Sequence, residues 1–479
     1  MTERPQPLSV GADVRSLSGS RREGRDSSRR HRGLVQFSPF ACPHSFGILL
    51  LCLAQLAQLA LAAPKPPPII AVFPDGKLTY DLDPRGNRPP DFSTCGFAGQ
   101  DRPIPDAPIR IVVEAKPGDA TACIQRAIDH IATLAPDPNG LRGAVLLLAG
   151  RHEIHGALHL RASGIVLRGQ GPTTNGTTLF AAGLDRRTLI QVRGQPIGPI
   201  ALIAGVADGY VPVGANSLRH TSSIGLAPGT RLLITRPSTK EWIARLGTTD
   251  FGGGDGDWRL TWRPGTRDLV WDRTITAISG DRITLDSPIT TALEAEFGGG
   301  TVATYSWPGR VENIGIENLR LESAHDSKNA KDENHSWFAI TMEHARDAWV
   351  RQVTFAHFAG SAVALFESTS RVTVQDCLSL APVSEDAGGR RNTFFTAGQQ
   401  TLFLRCWAER GRHDFAIGHC AAGPNAFVQC ESSQPTRDSG AIESWASGTL
   451  FDNVSVDGHN LSFANRGSAG QGAGWSAAF

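Results

Sequence analysis

Toward the carboxyl end of this 479-residue chain, acids, arginines and a histidine recur at nearly constant offsets. One repeat later, His413 and Asp414 map onto Arg437 and Asp438, and one repeat earlier onto Ser384 and Glu385. Asp386, Arg390 and Arg391 sit beside the earlier pair, and Glu409, Arg410 and Arg412 beside the middle one. Stacked, such turns would gather guanidinium groups, carboxylates and an imidazole on one face. That set suits removal of a proton next to a carboxylate, as in β-elimination of a uronate polymer. An arginine fork or a calcium ion neutralises the carboxylate, a base takes the proton, and the C4 oxygen leaves. Histidine has an ordinary pKa of about 6.5, which makes His413 the candidate base at neutral pH. Asp414 would orient it and Arg391 would hold the carboxylate. Arg390, Arg412 and Arg437 would bind neighbouring acidic sugars. Glu385, Asp386 and Asp438 offer oxygens to a calcium ion, which needs about six to eight of them.

Two other readings use the same face. Glycoside hydrolysis needs an acid and a second carboxylate. Asp414 and Asp438, one turn apart, would lie about 5 Å from each other, near the retaining distance. Glu385 and Asp438, two turns apart, would lie about 9.5 Å from each other, near the inverting one. A binding surface without a competent base is the third reading. The number of arginines in these turns favours elimination. A second column joins His419 to Glu443 one repeat on, with Trp445 beside it as a further substrate contact. Asp332-Glu333-Asn334-His335, in a charged insertion, either folds over the same face or forms a surface loop. Tyr80, Tyr210 and Tyr305 all lie outside these turns.

What must hold such residues in place is a repeat. Val350-Arg-Gln-Val353, Val374-Gln-Asp-Cys377, Phe403-Leu-Arg-Cys406, Phe427-Val-Gln-Cys430 and Phe451-Asp-Asn-Val454 share one apolar pattern. Ile316-Glu-Asn-Leu319 fits it one longer interval upstream. Each segment is strand-length and bounded by turn residues. A unit of about two dozen residues without a helix cannot bury its apolar face alone, so units must stack. A leucine-rich repeat has a similar period, but its leucine-asparagine signature is absent. A parallel β-helix solves the problem, with equivalent residues about 4.8 Å apart in columns. Phe403, Phe427 and Phe451 are then expected in register, and Cys377, Cys406 and Cys430 as small apolar rungs.

In the amino-terminal half, Asp119 is placed to cap a helix whose Ile124, Ala127, Ile128, Ile131 and Leu134 share a face. Lying before the first coil, it would cover the open end of the solenoid. Gly118-Asp-Ala-Thr-Ala-Cys-Ile-Gln-Arg-Ala-Ile-Asp, then Gly143-Ala-Val-Leu-Leu-Leu-Ala-Gly150, then Gly164-Ile-Val-Leu-Arg-Gly-Gln-Gly171 resembles the entrance to the pectate-lyase-like right-handed β-helix superfamily. The resemblance covers residues 111–194 well and 311–460 by pattern. It implies an all-β solenoid and an extracellular polysaccharide as substrate. It leaves the activity open, because the superfamily holds lyases, glycoside hydrolases, epimerases and phage tailspikes.

The expected organisation is a signal peptide (1–62), an arm (63–110), the capping helix with the first coils (111–194), an inserted antiparallel β subdomain (195–310) and the remaining coils (311–479). Trp242, Trp258, Trp262 and Trp271 crowd into the insert, either to stack on sugars or to fill its core. Phe46 to Ala63 is the long apolar run, preceded by Arg29, Arg30 and Arg32. It reads as a secretory signal cut after Ala62, placing the mature chain in the periplasm, at the cell surface or outside, with no stable membrane insertion. The formal charge of +1 hides eight arginines and four acids in residues 1–62; the rest carries 39 basic and 42 acidic residues. No basic stripe remains for nucleic acid. Export permits disulfides, and Cys95 with Cys123 is the expected bridge. No amphipathic helix covers the carboxyl end, so truncation, a folded-back tail or self-association through that end is expected.

Overall fold

The computed structural model describes residues 70–72, 78–222, 225–248, 262–442, 445–463 and 477–478. Residues 1–62, expected to be a signal peptide, together with Trp258, Glu443 and most of the tail after Phe463, lie outside the described residues. Among the described residues no helix is long and apolar enough to cross a membrane.

Short strands wind into three parallel sheets. The first runs from Ile109–Val113 through Gly143–Leu147, Ile165–Arg168 and the later coils to Thr449–Asp452. The second runs along the strands that follow these in each coil, from Gly150–Ile154 to Ser455–Asp457. The third runs from Leu158–Leu160 to Leu461–Ser462. One coil is thus a strand in each sheet and three corners, wound right-handed as parallel crossovers are. The architecture is a right-handed parallel β-helix.

Inward side chains pile into ladders. Ile111, Val145, Leu167, Ile316, Val350, Val374, Phe403, Phe427 and Phe451 pair in register down the first sheet. Phe403 and Phe427 stack at 4.7 Å with planes 11° apart, and Phe427 and Phe451 at 4.8 Å and 7°. Cys377, Cys406 and Cys430 are buried rungs on the next column, as the repeat implies. The bend between the first and second sheets is a single residue. Asn318, Gln352, Asp376, Arg405, Gln429 and Asn453 all have φ between 51° and 56°, the left-handed region that side-chain-bearing residues avoid. Each is the third residue of its repeat segment. Part of the cost is offset along the column: Arg405 Nε and Nη2 donate to the Asp376 carboxylate at 2.6 and 2.9 Å.

Helix α1, Thr121–Thr133, packs Ile124, Ala127, Ile128 and Ile131 over the first coil. Its first residue is preceded by Ala120, and Asp119 accepts the Thr121 N–H at 2.9 Å from one position further out. The insert is a six-stranded antiparallel sheet in the order Ile200–Gly205, Thr301–Tyr305, Arg231–Arg236, Leu269–Ser279, Arg282–Leu285 and Ser217–Arg219. It leaves the solenoid at the corner between the third and first sheets and packs back on that edge. Trp271 Nε1 donates to the Ala422 carbonyl at 2.6 Å, and Arg273 to Gln399 and Gly423, each at 2.8 Å. Trp242, Trp262 and Trp271 are buried in its core and do not face solvent for a sugar. Cys95 and Cys123 are both free. The expected bridge is corrected because Cys95 lies buried in the arm, where the next residue bonds Gln400, while Cys123 is exposed on α1 over the first coil.

Phe427 sits between two rings and is fully buried, whereas Phe451 is partly exposed. Phe427→Ala is expected to lower the unfolding free energy by about 3–5 kcal/mol and Phe451→Ala by less. Denaturant melts of both variants check the order.

Candidate functional site

The candidate residues lie at the corners joining the second sheet to the third. In successive coils these corners are 155–157, 182–187, 324–337, 357–360, 381–393, 410–414, 434–438 and 458–460. Strands fix where each corner begins and ends, so its residues stack on those of its neighbours. Asp386 accepts from Thr436 Oγ1 at 2.9 Å and lies 3.4 Å from Arg412 Nε, which links three consecutive corners. Arg412 Nη1 also donates to the Gly388 carbonyl. Arg437 is exposed and donates to the Thr436 carbonyl at 3.1 Å. Arg391 holds Ser384 through its hydroxyl and its carbonyl. Burial pulls the pKa of Arg391 and of Arg412 below the usual arginine value.

Two central candidates face away. Asp414 is fully buried, with Thr393 Oγ1 donating to one oxygen at 2.5 Å and Ser432 Oγ to the other at 2.7 Å. Ser432 is an inward rung of the second sheet, so the carboxylate lies in the solenoid interior. It pins three coils and neither reaches substrate nor orients His413. Burial pushes its pKa up to about 6. His413 is 5% exposed, and its Nδ1–H donates to the Asp438 carbonyl at 2.6 Å. An imidazole held this way is a corner strut and not an accessible base.

The proposed calcium ligands diverge. Glu385 pairs with Lys331 at 3.1 Å, Asp386 with Thr436 and Arg412, and Asp438 lies 3.9 Å from His459. Among the described residues, no group of three or more histidines, cysteines or acids is arranged to hold a metal ion. The second column belongs to a different corner, where the third sheet returns to the first. There His419 Nδ1 faces Glu367 at 3.4 Å and the ring meets Phe395 edge-on. Trp445 is 8% exposed and packs edge-on against Trp242 of the insert at 5.8 Å, so it is core and not a sugar platform.

What the spacing does not reveal lies one to three coils earlier. The insertion 324–337 folds over the face. Glu333, 9% exposed, receives Arg390 Nε at 2.5 Å and Nη2 at 3.1 Å on its two oxygens, and Arg186 Nη2 at 2.5 Å. Burial pushes the Glu333 carboxyl up, but the two guanidinium groups outweigh it and hold the pKa below the usual glutamate value. The guanidinium carbons of Arg186 and Arg390 lie 5.1 and 5.5 Å from the centre of the half-buried Trp337 ring. Gly360 makes room for that ring, since a Cβ there would collide with Trp337 Nε1. His357 opens the same short corner, partly exposed, its ring 4.5 Å from that of His325. Its Nδ1–H donates to the Ala381 carbonyl at 3.0 Å, which leaves the lone pair on Nε2.

Fold and site together define a right-handed parallel β-helix with an arginine-bearing corner face. Neither a protein-family model nor a curated protein matches the chain. Among solved structures it is similar to the tailspike protein gp49 from Pseudomonas phage LKA1, with 13% identity over 70% of this chain and 52% of that one, at a TM-score of 0.39. It is also similar to the Family 28 exopolygalacturonase of Yersinia enterocolitica, with 14% identity over 82% of this chain and 66% of that one, at a TM-score of 0.24. A polygalacturonase from Erwinia carotovora ssp. carotovora aligns at 10% identity over 77% of this chain and 99% of that one, with a TM-score of 0.22. The chain spans about half the length of the phage tailspike.

Asp414 gives a signed pH prediction. Its folded pKa lies above its unfolded value, near 3.8, so the fold binds the extra proton between the two. The contribution to stability is complete below about pH 4 and is lost as pH rises through about 6. Asp414→Asn is expected to gain on the wild type by about 2–3 kcal/mol between pH 4 and pH 7, read from paired melts. A pH-independent difference would place the carboxylate in water.

Proposed function

We propose that this chain is an exported carbohydrate-active protein that takes an acidic polysaccharide along the corner face and cleaves it by β-elimination. One observation carries the reading: guanidinium groups from two distant segments, Arg186 and Arg390, converge on a single carboxylate beside an aromatic ring. Bidentate guanidinium–carboxylate pairing is the recognition a uronate needs, and a partly exposed tryptophan offers a flat apolar face to the sugar ring. Arg412 and the exposed Arg437 continue the positive row along the next two coils. An arginine fork also neutralises the charge that builds on the carboxylate when the adjacent proton leaves.

The base moves from His413 to His357. His357 is partly exposed, its tautomer is set by Ala381, and it shares a short corner with the glycine on which Trp337 rests. Elimination is favoured over hydrolysis because Asp414, needed for the retaining pair, is sealed inside the solenoid, and Glu385 and Asp438 of the inverting pair are drawn to Lys331 and toward His459. Export rests on the segment 46–63 and the resemblance to extracellular enzymes.

Purified protein is to be screened against uronate-containing and neutral polysaccharides, following ultraviolet absorbance of unsaturated ends together with reducing ends. Unsaturated product from an acidic glycan is expected. Arg186→Ala and Arg390→Ala should each abolish turnover at low substrate, and His357→Ala should slow it by roughly 10²–10⁴-fold with binding retained. Reducing ends without unsaturation would make the protein a hydrolase. Binding without either product would make it a lectin-like surface.

A further inference from the structure

The three corners at the centre of this face differ in length. Residues 324–337 and 381–393 form long loops, and between them lies the short corner 357–360. Coils step by about 4.8 Å, so the two long loops leave the sheets roughly 10 Å apart, with a short floor between. They close over it. Arg390 grips Glu333, Lys331 pairs with Glu385 at 3.1 Å, and His335 Nε2–H donates to the Val383 carbonyl at 3.0 Å. The floor is tied separately, by Gly360 N–H to Trp337 O at 2.8 Å and Arg391 N–H to Ala359 O at 3.0 Å.

The clasp puts a carboxylate of the chain itself where an acidic ligand would bind. Arg186 and Arg390 carry two positive charges against the one negative charge of Glu333, so the clamp still attracts an anion. Glu333 follows an exposed tip, 326–331, and itself lies beside buried Asp332, His335 and Ser336, where its carbonyl also receives Arg186 Nε at 3.2 Å and its carboxylate the Glu385 N–H at 3.4 Å. The tip's tie to the opposite loop, Lys331 to Glu385, is a solvent-exposed pair of the kind worth about 0–1 kcal/mol.

We infer that Glu333 is a built-in competitor for the Arg186–Arg390 clamp: it occupies a subsite for the carboxylate of an acidic sugar, and ligand binding displaces it and opens loop 324–337. This rests on the proposed reading of the face. It adds that the free protein is self-occupied, which lowers apparent affinity by the fraction of molecules with the clamp open. While Glu333 stays in place, the closed loops leave the ring of Trp337 and His357 only partly exposed.

The test measures binding of the full chain to an oligogalacturonate and to an oligoguluronate, with a neutral oligoglucan as control. Glu333→Gln and Glu333→Ala are expected to bind the acidic oligomer roughly tenfold more tightly than wild type, as an open fraction near one in ten would give. Arg390→Ala should lose that binding. Wild-type binding that depends on Arg390, combined with equal or weaker binding by both Glu333 variants, overturns the competitor and leaves the proposed function standing. If no variant and no wild type binds either acidic oligomer, the reading of the face falls and this inference with it. Should the Glu333 variants fail to fold, hydrogen exchange in wild type decides. Amides of 324–337 are expected to exchange faster with saturating acidic oligomer, and unchanged or slower exchange contradicts displacement.

Discussion

Phe403, Phe427 and Phe451 lie face to face at 4.7 and 4.8 Å, the spacing that hydrogen-bonded parallel strands impose on equivalent residues. That coincidence of backbone and side-chain distance is the constraint behind the rest of the molecule. A coil of about two dozen residues buries its apolar face only against the coil above and below, so every inward position must match its neighbours in size and register. The ladder from Ile111 to Phe451 meets this condition across a chain interrupted by the insert. The same register fixes the single-residue bends, since each left-handed residue from Asn318 to Asn453 must turn at the same height as the next.

Corners inherit this order without sharing its restriction on sequence. Between the second and third sheets they range from the tight bend 458–460 to the long loop 324–337, and polar residues from different coils are brought side by side. Arg186 and Arg390 are far apart in sequence and three coils apart in the solenoid, and they meet on one carboxylate because the long corner 324–337 carries Glu333 between them. The rigid wall therefore supplies the positioning and the loops supply the chemistry. The opposite corner, between the third sheet and the first, is used differently. There the insert packs through Trp271, Arg273 and Trp242, and aromatic residues that resemble sugar platforms in sequence serve as core.

The solenoid is legible in the sequence because its signal is periodic. Phenylalanines and cysteines that recur at a nearly constant spacing have no simpler explanation than rungs, and the capping helix is marked by its one apolar face. The site is legible only in outline. The repeat brings the turns of Asp386, Arg412 and Arg437 together, but an offset says which residues are neighbours and not which way they point. Asp414 immediately precedes an inward strand residue and turns to the interior, while Arg412, two positions earlier, reaches the adjacent corner. Arg186 is beyond reach of the pattern because the insert separates it from the regular coils. Its role follows from three-dimensional stacking alone. The third position of each repeat segment, always Asn, Gln, Asp or Arg, is visible in the sequence and marks the bend. A left-handed corner explains it.

The central claim is that Arg186 and Arg390, carried by separate coils, act as one carboxylate clamp. A double-mutant cycle on binding of an acidic oligosaccharide tests it most directly, using Arg186→Ala, Arg390→Ala and the pair. Groups that share a ligand atom are coupled, so the double variant should lose less than the sum of the single losses, by about 1 kcal/mol or more. Losses that add to within about 0.3–0.5 kcal/mol would mean that the two arginines act independently, and the clamp would not exist.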